Sequence, residues 1–156
     1  MATRPLTSSE VTLARTMFGD TIRYDEARIA NRKWAFFQPK QVAMAPTGCI
    51  HFHPGGTLYR DDFAQAGRDL AALFLHEMTH IHQTQHRGRF WLPLMRHPFC
   101  TYRYTIVPGK PFDAYGIEQQ AEIVRHAFLL RQGIAVKDKP PVDVYEALLP
   151  FERQGA

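Results

Sequence analysis

A long amphipathic helix, predicted over residues 65–87, restricts the fold more than any other feature of the sequence. Apolar residues recur along it at helical spacing, and Gly88 follows where the helix should end. The apolar stripe consists of Leu70, Leu73, Phe74, Met78 and Ile81. His76 and His80 lie four residues apart, so their imidazoles project from one face about one turn apart. The sequence therefore predicts a helix that buries its apolar stripe and carries two neighbouring imidazoles.

The segment His76-Glu77-Met78-Thr79-His80 places a carboxylate beside the first of these imidazoles. Neutral imidazole is a good zinc ligand, with Zn–N distances of about 2.0–2.1 Å. Glu77 is placed to take a proton from water on the metal, and HExxH is the pattern of zinc metallopeptidases. The alternative is a histidine-rich helix face that contacts only solvent. We favour a zinc ion bound by His76 and His80, with Glu77 as general base.

A second predicted helix, over residues 115–132, carries carboxylates that could complete the site. Two histidines leave zinc short of a third protein ligand. Glu118 and Glu122 lie one turn apart near the start of this helix. Both could instead be ordinary solvated charges, and the residues alone do not decide which of the two would bind the metal.

The rest of the sequence predicts a single α+β domain over residues 1–156. A capping box at Thr7-Ser8-Ser9-Glu10 begins a first helix that closes at Gly19. Short strands are expected at 27–30, 41–45 and 49–53, joined as hairpins through proline- and glycine-rich turns. In chain order, the expected segments are an N-terminal helix and small sheet (7–60), the histidine helix (65–87), a loop with a strand at 99–107 (88–114), the glutamate helix (115–132), and a tail with a closing helix at 142–149 (133–156).

Composition and charge exclude several classes of protein. The chain is 45% hydrophobic and 22% charged, which is typical of a globular domain and not of a disordered one. No apolar run approaches the roughly 18 residues of a membrane span, and no signal-peptide h-region is present, so we expect synthesis in the cytoplasm. The net charge of +4 comes without a nucleic-acid motif, so no nucleic-acid partner is expected. Cys49 and Cys100 are expected to be free thiols. Four arginines could recognise an acidic substrate or provide solubility, of which we favour solubility: Arg87, Arg89, Arg96 and Arg103.

With these features, the chain resembles a small zincin of the type whose third zinc ligand is a glutamate. More narrowly, the chain is similar to short bacterial proteins labelled Vgr-related or Rhs-associated, which are linked by name to type VI secretion. A more distant resemblance is to the metallopeptidase-like core domain found with contractile injection systems. The stretches that carry the resemblance are Phe18-Gly19-Asp20, Arg28-Ile29, Phe37-Gln38-Pro39-Lys40, Tyr59-Arg60-Asp61-Asp62-Phe63, His76-Glu77-Met78-Thr79-His80 and Tyr115-Gly116-Ile117-Glu118-Gln119-Gln120-Ala121-Glu122.

The resemblance implies a zincin-like fold, in which a small antiparallel or mixed sheet packs on the HExxH helix and on the glutamate helix. It implies zinc bound by His76, His80 and Glu118, with Glu122 as hydrogen-bond partner of one of the histidines. A swap of roles between the two glutamates is the alternative. It also implies a donor that stabilises the oxyanion. The candidates for that donor are Tyr102, Tyr104, His97, His126 and Tyr115, of which we favour Tyr115.

The function implied is hydrolysis of a peptide-type bond by a zinc metallopeptidase or amidase, acting as a bacterial toxin effector exported with a Vgr- or Rhs-type partner. Its substrate would be a peptide or a peptidoglycan stem peptide. The main alternative is a non-catalytic adaptor or degenerate enzyme, in which a structural zinc takes a fourth ligand from His97 or Cys100. Glu77 favours catalysis, because a structural site has no use for a base beside the metal.

The sequence does not decide the roles of two further sets of residues, a pair of histidines and a group of three aromatic residues. His51 and His53 share one face of a predicted strand, where they could form a second metal site, line the cleft or simply face solvent. Trp34, Phe36 and Phe37 are expected to lie in the core or in a lid.

Overall fold

The computed structural model describes residues 3–96 and 100–152, and within these ranges it contains a three-stranded sheet and five helices. The predicted α+β class is therefore confirmed. The strands are β1 (Arg4–Pro5), β2 (Arg28–Ala30) and β3 (Cys49–His51), and the helices are α1 (Ser8–Phe18), α2 (Arg68–Arg87), α3 (Trp91–Met95), α4 (Ile117–Arg131) and α5 (Val142–Leu148).

The sheet is mixed and has the order β1-β2-β3. β1 runs antiparallel to β2, with Arg4 opposite Ile29, whereas β2 and β3 are parallel, with Ile29 opposite Ile50. The mixed sheet was expected, but the prediction of hairpins was wrong. Parallel neighbours need a long crossover, and residues 31–48 provide it.

The strand predicted at 41–45 does not form. Only Met44 pairs there, in an isolated antiparallel bridge with His51. The buried amide of Gln38 donates to the carbonyls of Val42 and His51, at 2.8 Å each, and so takes acceptors that a strand would use. A side chain thus replaces part of the ladder in this stretch.

The capping box of α1 forms as predicted, and its glutamate also joins three elements. Glu10 N donates to the Thr7 hydroxyl at 3.1 Å, and Thr7 N donates to the Glu10 carboxylate at 2.9 Å. That carboxylate is fully buried and also accepts from Arg4 in β1 and from the backbone of Phe63. α1 ends at Gly19, whose φ is 55° and where a Cβ would lie 2.6 Å from a backbone oxygen.

The helices α2 and α4 pack against each other and form the largest helix–helix contact in the described part of the chain. α2 begins three residues later than predicted, because Phe63–Gln65 form a separate 3-10 turn capped by Asp62. Its predicted apolar stripe faces the core: Phe74, Met78 and Ile81 are fully buried. No helix of the described ranges is both long enough and apolar enough to cross a membrane.

The strand predicted at 99–107 is absent over residues 100–107, and Phe99 lies outside the described residues. The backbone here bonds to side chains: Gln119 donates to the Arg103 carbonyl at 2.7 Å, and Lys139 donates to the Tyr104 carbonyl at 2.8 Å. Val107 N donates to the Tyr115 hydroxyl at 3.0 Å. These side-chain bonds replace part of the strand pairing in this segment. The short helix α3, in the same predicted loop, was not expected.

Candidate metal centre

Three buried side chains from α2 and α4 meet between the helices. Glu118 Oε2 lies 3.2 Å from His76 Nε2 and 3.1 Å from His80 Nε2. The three ligand-type atoms all lie within 4.8 Å of one another, and Glu118 is only 2% exposed. Two imidazole nitrogens and a carboxylate oxygen at this separation could hold a metal ion, and this donor set is one that zinc takes.

The local structure explains how these side chains converge. His76 and His80 are one turn apart on α2, and their ring centroids are 5.1 Å apart. Glu118 lies in the first turn of α4, which begins where the Gln119 side chain accepts from Gly116 N at 2.8 Å. The packing of α4 along α2 brings that first turn opposite the two imidazoles.

His80 is oriented by Gln83, which sequence reasoning did not single out. The Gln83 amide nitrogen donates to the Ile117 carbonyl at 3.0 Å, so its oxygen faces His80 Nδ1 at 2.9 Å. An amide oxygen only accepts, so His80 Nδ1 carries the hydrogen and Nε2 points towards Glu118. Gln83 lies three residues after His80, and this helical spacing is the signal that could have revealed it.

His76 is held between two carboxylates. Its Nδ1 lies 3.1 Å from Glu122 Oε2, on the side opposite Glu118. Burial alone would lower the pKa of His76, but its hydrogen bonds to Glu118 and Glu122 outweigh burial and raise the pKa to about 9. The same contacts hold the pKa of Glu118 and of Glu122 below the usual range for glutamate, although burial opposes this. The cluster thus favours positive charge at its centre.

Glu77 adds a third carboxylate beside this cluster. Its side chain is 4% exposed, and its Oε2 atom is buried with no hydrogen-bond partner among the described residues. Glu77 follows His76 directly in α2, and its negative charge raises the pKa of both His76 and Tyr102. A buried carboxylate oxygen without a partner is costly unless a ligand or water satisfies it.

Two residues of the 88–114 segment cover the centre. The Tyr102 ring stacks on His76, with centroids 6.0 Å apart and planes 20° apart. Arg96 Nη2 lies 3.3 Å from Glu118 Oε1, the oxygen turned away from the histidines. Burial and the nearby carboxylate of Glu118 raise the pKa of Tyr102, and Arg96 opposes them. The role of Arg96 could not be read from the sequence, because it lies in a segment without periodicity.

The other residues proposed for the oxyanion do not join this group. The Tyr115 hydroxyl accepts from Val107 N, and Lys110 lies over its ring. The Tyr104 hydroxyl bonds to His126 Nδ1 and to the hydroxyl of Tyr145, at 2.6 Å each. His97 lies outside the described residues. Of the candidates that the structure describes, Tyr102 is the one that stacks on a histidine of the centre.

The remaining histidines and thiols of interest are elsewhere. His51 is buried in β3 and makes the backbone bridge with Met44, while His53 follows the strand and accepts from Gly55 N. Neither belongs to the metal-type group found among the described residues. Cys49 and Cys100 are free, as expected, and Cys100 is not a member of that group either.

Comparison with known proteins gives the centre a context, although no protein-family model matches the chain. The sequence is 37% identical, over 136 residues, to the type VI secretion system spike protein VgrG2b of Pseudomonas aeruginosa. The match covers 82% of this chain and 13% of VgrG2b. The fold matches the solved effector domain of P. aeruginosa VgrG2b with a TM-score of 0.78 and 31% identity, over 95% of this chain and 84% of that domain. The chain belongs to the family of this effector domain.

Membership of the VgrG2b effector-domain family confirms the Vgr-related part of the sequence resemblance. The chain spans about an eighth of the length of the curated spike protein, so the shared part is the effector domain. The structural match covers nearly all of the described chain and therefore includes α2 and α4, which carry the candidate metal centre. The zincin identity stays a prediction.

Proposed function

We propose that this domain is a zinc-dependent metallopeptidase or amidase that acts as a type VI secretion effector. The observation that carries the proposal is the buried group of His76, His80 and Glu118, with the unpaired carboxylate oxygen of Glu77 beside it. A structural metal site has no use for such a carboxylate, so Glu77 favours an enzyme over a zinc-stabilised adaptor.

The ligand set fits zinc in number and in kind. His76 Nε2, His80 Nε2 and Glu118 Oε2 are the atoms that would hold the ion, and Glu122 and Gln83 would orient the two imidazoles. When bound, zinc supplies a polarised carbonyl and a water of lowered pKa. With three protein ligands, a tetrahedral zinc ion would keep its fourth position open for water or substrate, as catalytic zinc sites require.

Glu77 is the proposed general base. Its unpaired oxygen accepts the proton of the attacking water and then delivers it to the leaving nitrogen of the peptide-type bond. Tyr102 stacks on His76 and Arg96 lies 3.3 Å from Glu118, so these two side chains are the proposed donors to the developing oxyanion. The raised pKa of Tyr102 keeps its phenol protonated, and hence a donor, at neutral pH. We propose Tyr102 in this role in place of Tyr115, whose hydroxyl is engaged with Val107.

The secretion role is proposed from the family. Both matched proteins are named for VgrG2b, one as a type VI secretion spike protein and the other as its effector domain. A hydrolase that such a system delivers would act on a peptide-type bond outside the cell that produces it. A Vgr-type partner, or a longer chain of that kind, would carry it.

The test is hydrolysis of a quenched fluorescent peptide library by zinc-loaded wild-type protein and by Glu77→Gln. We expect the wild type to cleave, and Glu77→Gln to retain zinc while kcat falls by about 10²–10⁴-fold, the usual contribution of a general base. Unchanged hydrolysis by Glu77→Gln would remove Glu77 from the mechanism. Stoichiometric zinc without cleavage of any peptide would favour the adaptor instead.

A further inference from the structure

An apolar cavity of about 460 Å³ opens beside the candidate metal centre. His80 and Glu118 belong both to the centre and to the lining of this cavity. A group bound in the cavity is therefore in contact with the residues proposed to hold the metal. A peptide substrate whose scissile bond lies at the metal centre would place a side chain next to that bond in the cavity.

The walls of the cavity come from two separate segments. Trp34, Phe37 and Met44 contribute from the 31–48 crossover, and Leu92 and Pro93 contribute from α3. Both segments lie outside the packed pair of α2 and α4, so the cavity lies between the body of the domain and two covering segments.

The chemistry of the lining favours an uncharged ligand. Its two charged side chains are Arg96 and Glu118, and they pair with each other at 3.3 Å. His80 Nδ1 donates to Gln83, and its Nε2 faces Glu118 at the candidate metal centre. The described lining therefore offers no unpaired charge to a ligand, whereas its aromatic and aliphatic side chains offer apolar contact.

The aromatic residues at the mouth are held in place. Gln38 is 3% exposed; its oxygen accepts from Trp34 N at 2.8 Å, and its nitrogen donates to the Val42 and His51 carbonyls. Trp34 is nevertheless 40% exposed and Phe37 59% exposed, and their rings meet edge to face. Of the two places expected for these aromatics, the core or a lid, their exposure excludes the core. Exposed aromatic side chains on a loop that hydrogen bonds hold in one conformation are typical of a preformed binding surface.

We propose that this cavity binds a large uncharged side chain next to the scissile bond, so that the substrate is a polypeptide with an exposed leucine-, methionine- or phenylalanine-like residue. This inference rests on the proposed hydrolase function. It disfavours a peptidoglycan stem peptide, because the side chains of stem peptides are small or charged and would leave the apolar walls unfilled.

The test compares Phe37→Ala with Phe36→Ala in hydrolysis of peptides that differ only beside the cleaved bond. Phe36 is a matched control, because it lies in the same loop, is 89% exposed and does not line the cavity. We expect the wild type to prefer leucine or phenylalanine over alanine or glutamate by about 10–200-fold in kcat/KM. Phe37→Ala should lose about tenfold of this preference, whereas Phe36→Ala should keep the preference of the wild type. A preference for alanine or glutamate, or equal effects of the two variants, would overturn the proposal.

A binding measurement separates this proposal from the hydrolase itself. In Trp91→Phe, Trp34 is the one tryptophan left of the two in the chain, so its fluorescence reports on the cavity. Titration with acetyl-Leu-Leu-amide should give a saturable change that acetyl-Ala-Glu-amide does not, and adding Phe37→Ala should weaken it. Selective binding without hydrolysis would reject the proposed enzyme and keep the cavity's selectivity. Hydrolysis without selective binding would reject the proposed selectivity of the cavity and keep the proposed enzyme.

Discussion

At the residue scale, the centre depends on which glutamate faces both imidazoles. Glu118 Oε2 lies within 3.2 Å of His76 and His80, whereas Glu122 contacts only His76, at the nitrogen on the far side of the ring. This geometry supports the proposal that Glu118 is the metal ligand and that Glu122 orients His76. Sequence spacing alone left a swap of these roles open, because both glutamates lie on the same face of α4.

We expect Glu118→Ala to lower zinc affinity much more than Glu122→Ala. Loss of Glu118 removes a ligand and leaves two imidazoles, whereas loss of an orienting hydrogen bond typically costs about 10–100-fold in affinity. Competition with a chromophoric zinc chelator measures both values. Equal losses of affinity in the two variants would contradict the assignment.

His51 supplies a pH dependence that is independent of the centre. Burial lowers the pKa of His51 from its ordinary value of 6.5, and its Nδ1 atom has no hydrogen-bond partner among the described residues. The unfolded chain therefore takes up a proton near pH 6.5, where the folded protein does not. Stability is complete above this pH and falls as the pH drops below it.

The expected contribution of His51 is a slope of up to about 1.4 kcal/mol per pH unit below pH 6.5. Urea unfolding at several pH values between 5 and 7 should show a slope in the wild type that His51→Gln reduces by up to this amount. His82, whose pKa burial lowers to about 4, adds a slope of the same sign to both proteins. Identical slopes in the two proteins would show that burial does not perturb His51.

At the element scale, Glu10 connects the sheet to the first helix. Its buried carboxylate accepts from Arg4 in β1, from the backbone of Thr7, which caps α1, and from the 3-10 turn before α2. We expect Glu10→Ala to lower the free energy of unfolding by about 3–5 kcal/mol, since it breaks a buried ion pair and a helix cap. Thr12→Ala, on the exposed face of α1, should cost no more than about 0.5 kcal/mol. Chemical denaturation measures both, and a loss below about 1 kcal/mol at Glu10 would contradict this role.

The helices could be predicted because their signals are local. The capping box at Thr7 begins α1, and the apolar stripe of α2 lies at helical spacing. The strands could not be predicted as well, because β1 is only two residues long and the 41–45 stretch bonds to the side chain of Gln38. Strand pairing depends on partners far along the chain, which periodicity does not reveal.

The same difference applies to the site. His76, Glu77 and His80 form a local motif, and Glu118 follows from the need for a third ligand and from the resemblance. Tyr102 and Arg96 reach the centre through the irregular 88–114 segment, so no spacing in the sequence indicates them. The cavity also escaped prediction, because its walls come from segments more than 40 residues apart.

At the scale of the whole molecule, the sheet and α1 belong to the body of the domain, together with the packed helices α2 and α4. The 31–48 crossover and α3 line the cavity beside the junction of these two helices. The metal-type group lies at this junction, where α2 and α4 make the largest helix–helix contact of the described chain. Membership of the VgrG2b effector-domain family agrees with this arrangement over nearly the whole chain. The proposed function requires that a zinc ion binds at this junction.

Metal content, measured by mass spectrometry on purified protein after loading with zinc and desalting, tests this claim most directly. His80→Ala removes a proposed ligand, and His86→Ala is the matched control, because His86 lies on the same helix but is exposed and bonds to the Thr21 carbonyl. We predict close to one zinc per chain in the wild type and in His86→Ala, and a large loss in His80→Ala. Zinc absent from the wild type, or retained equally by His80→Ala, would contradict the account.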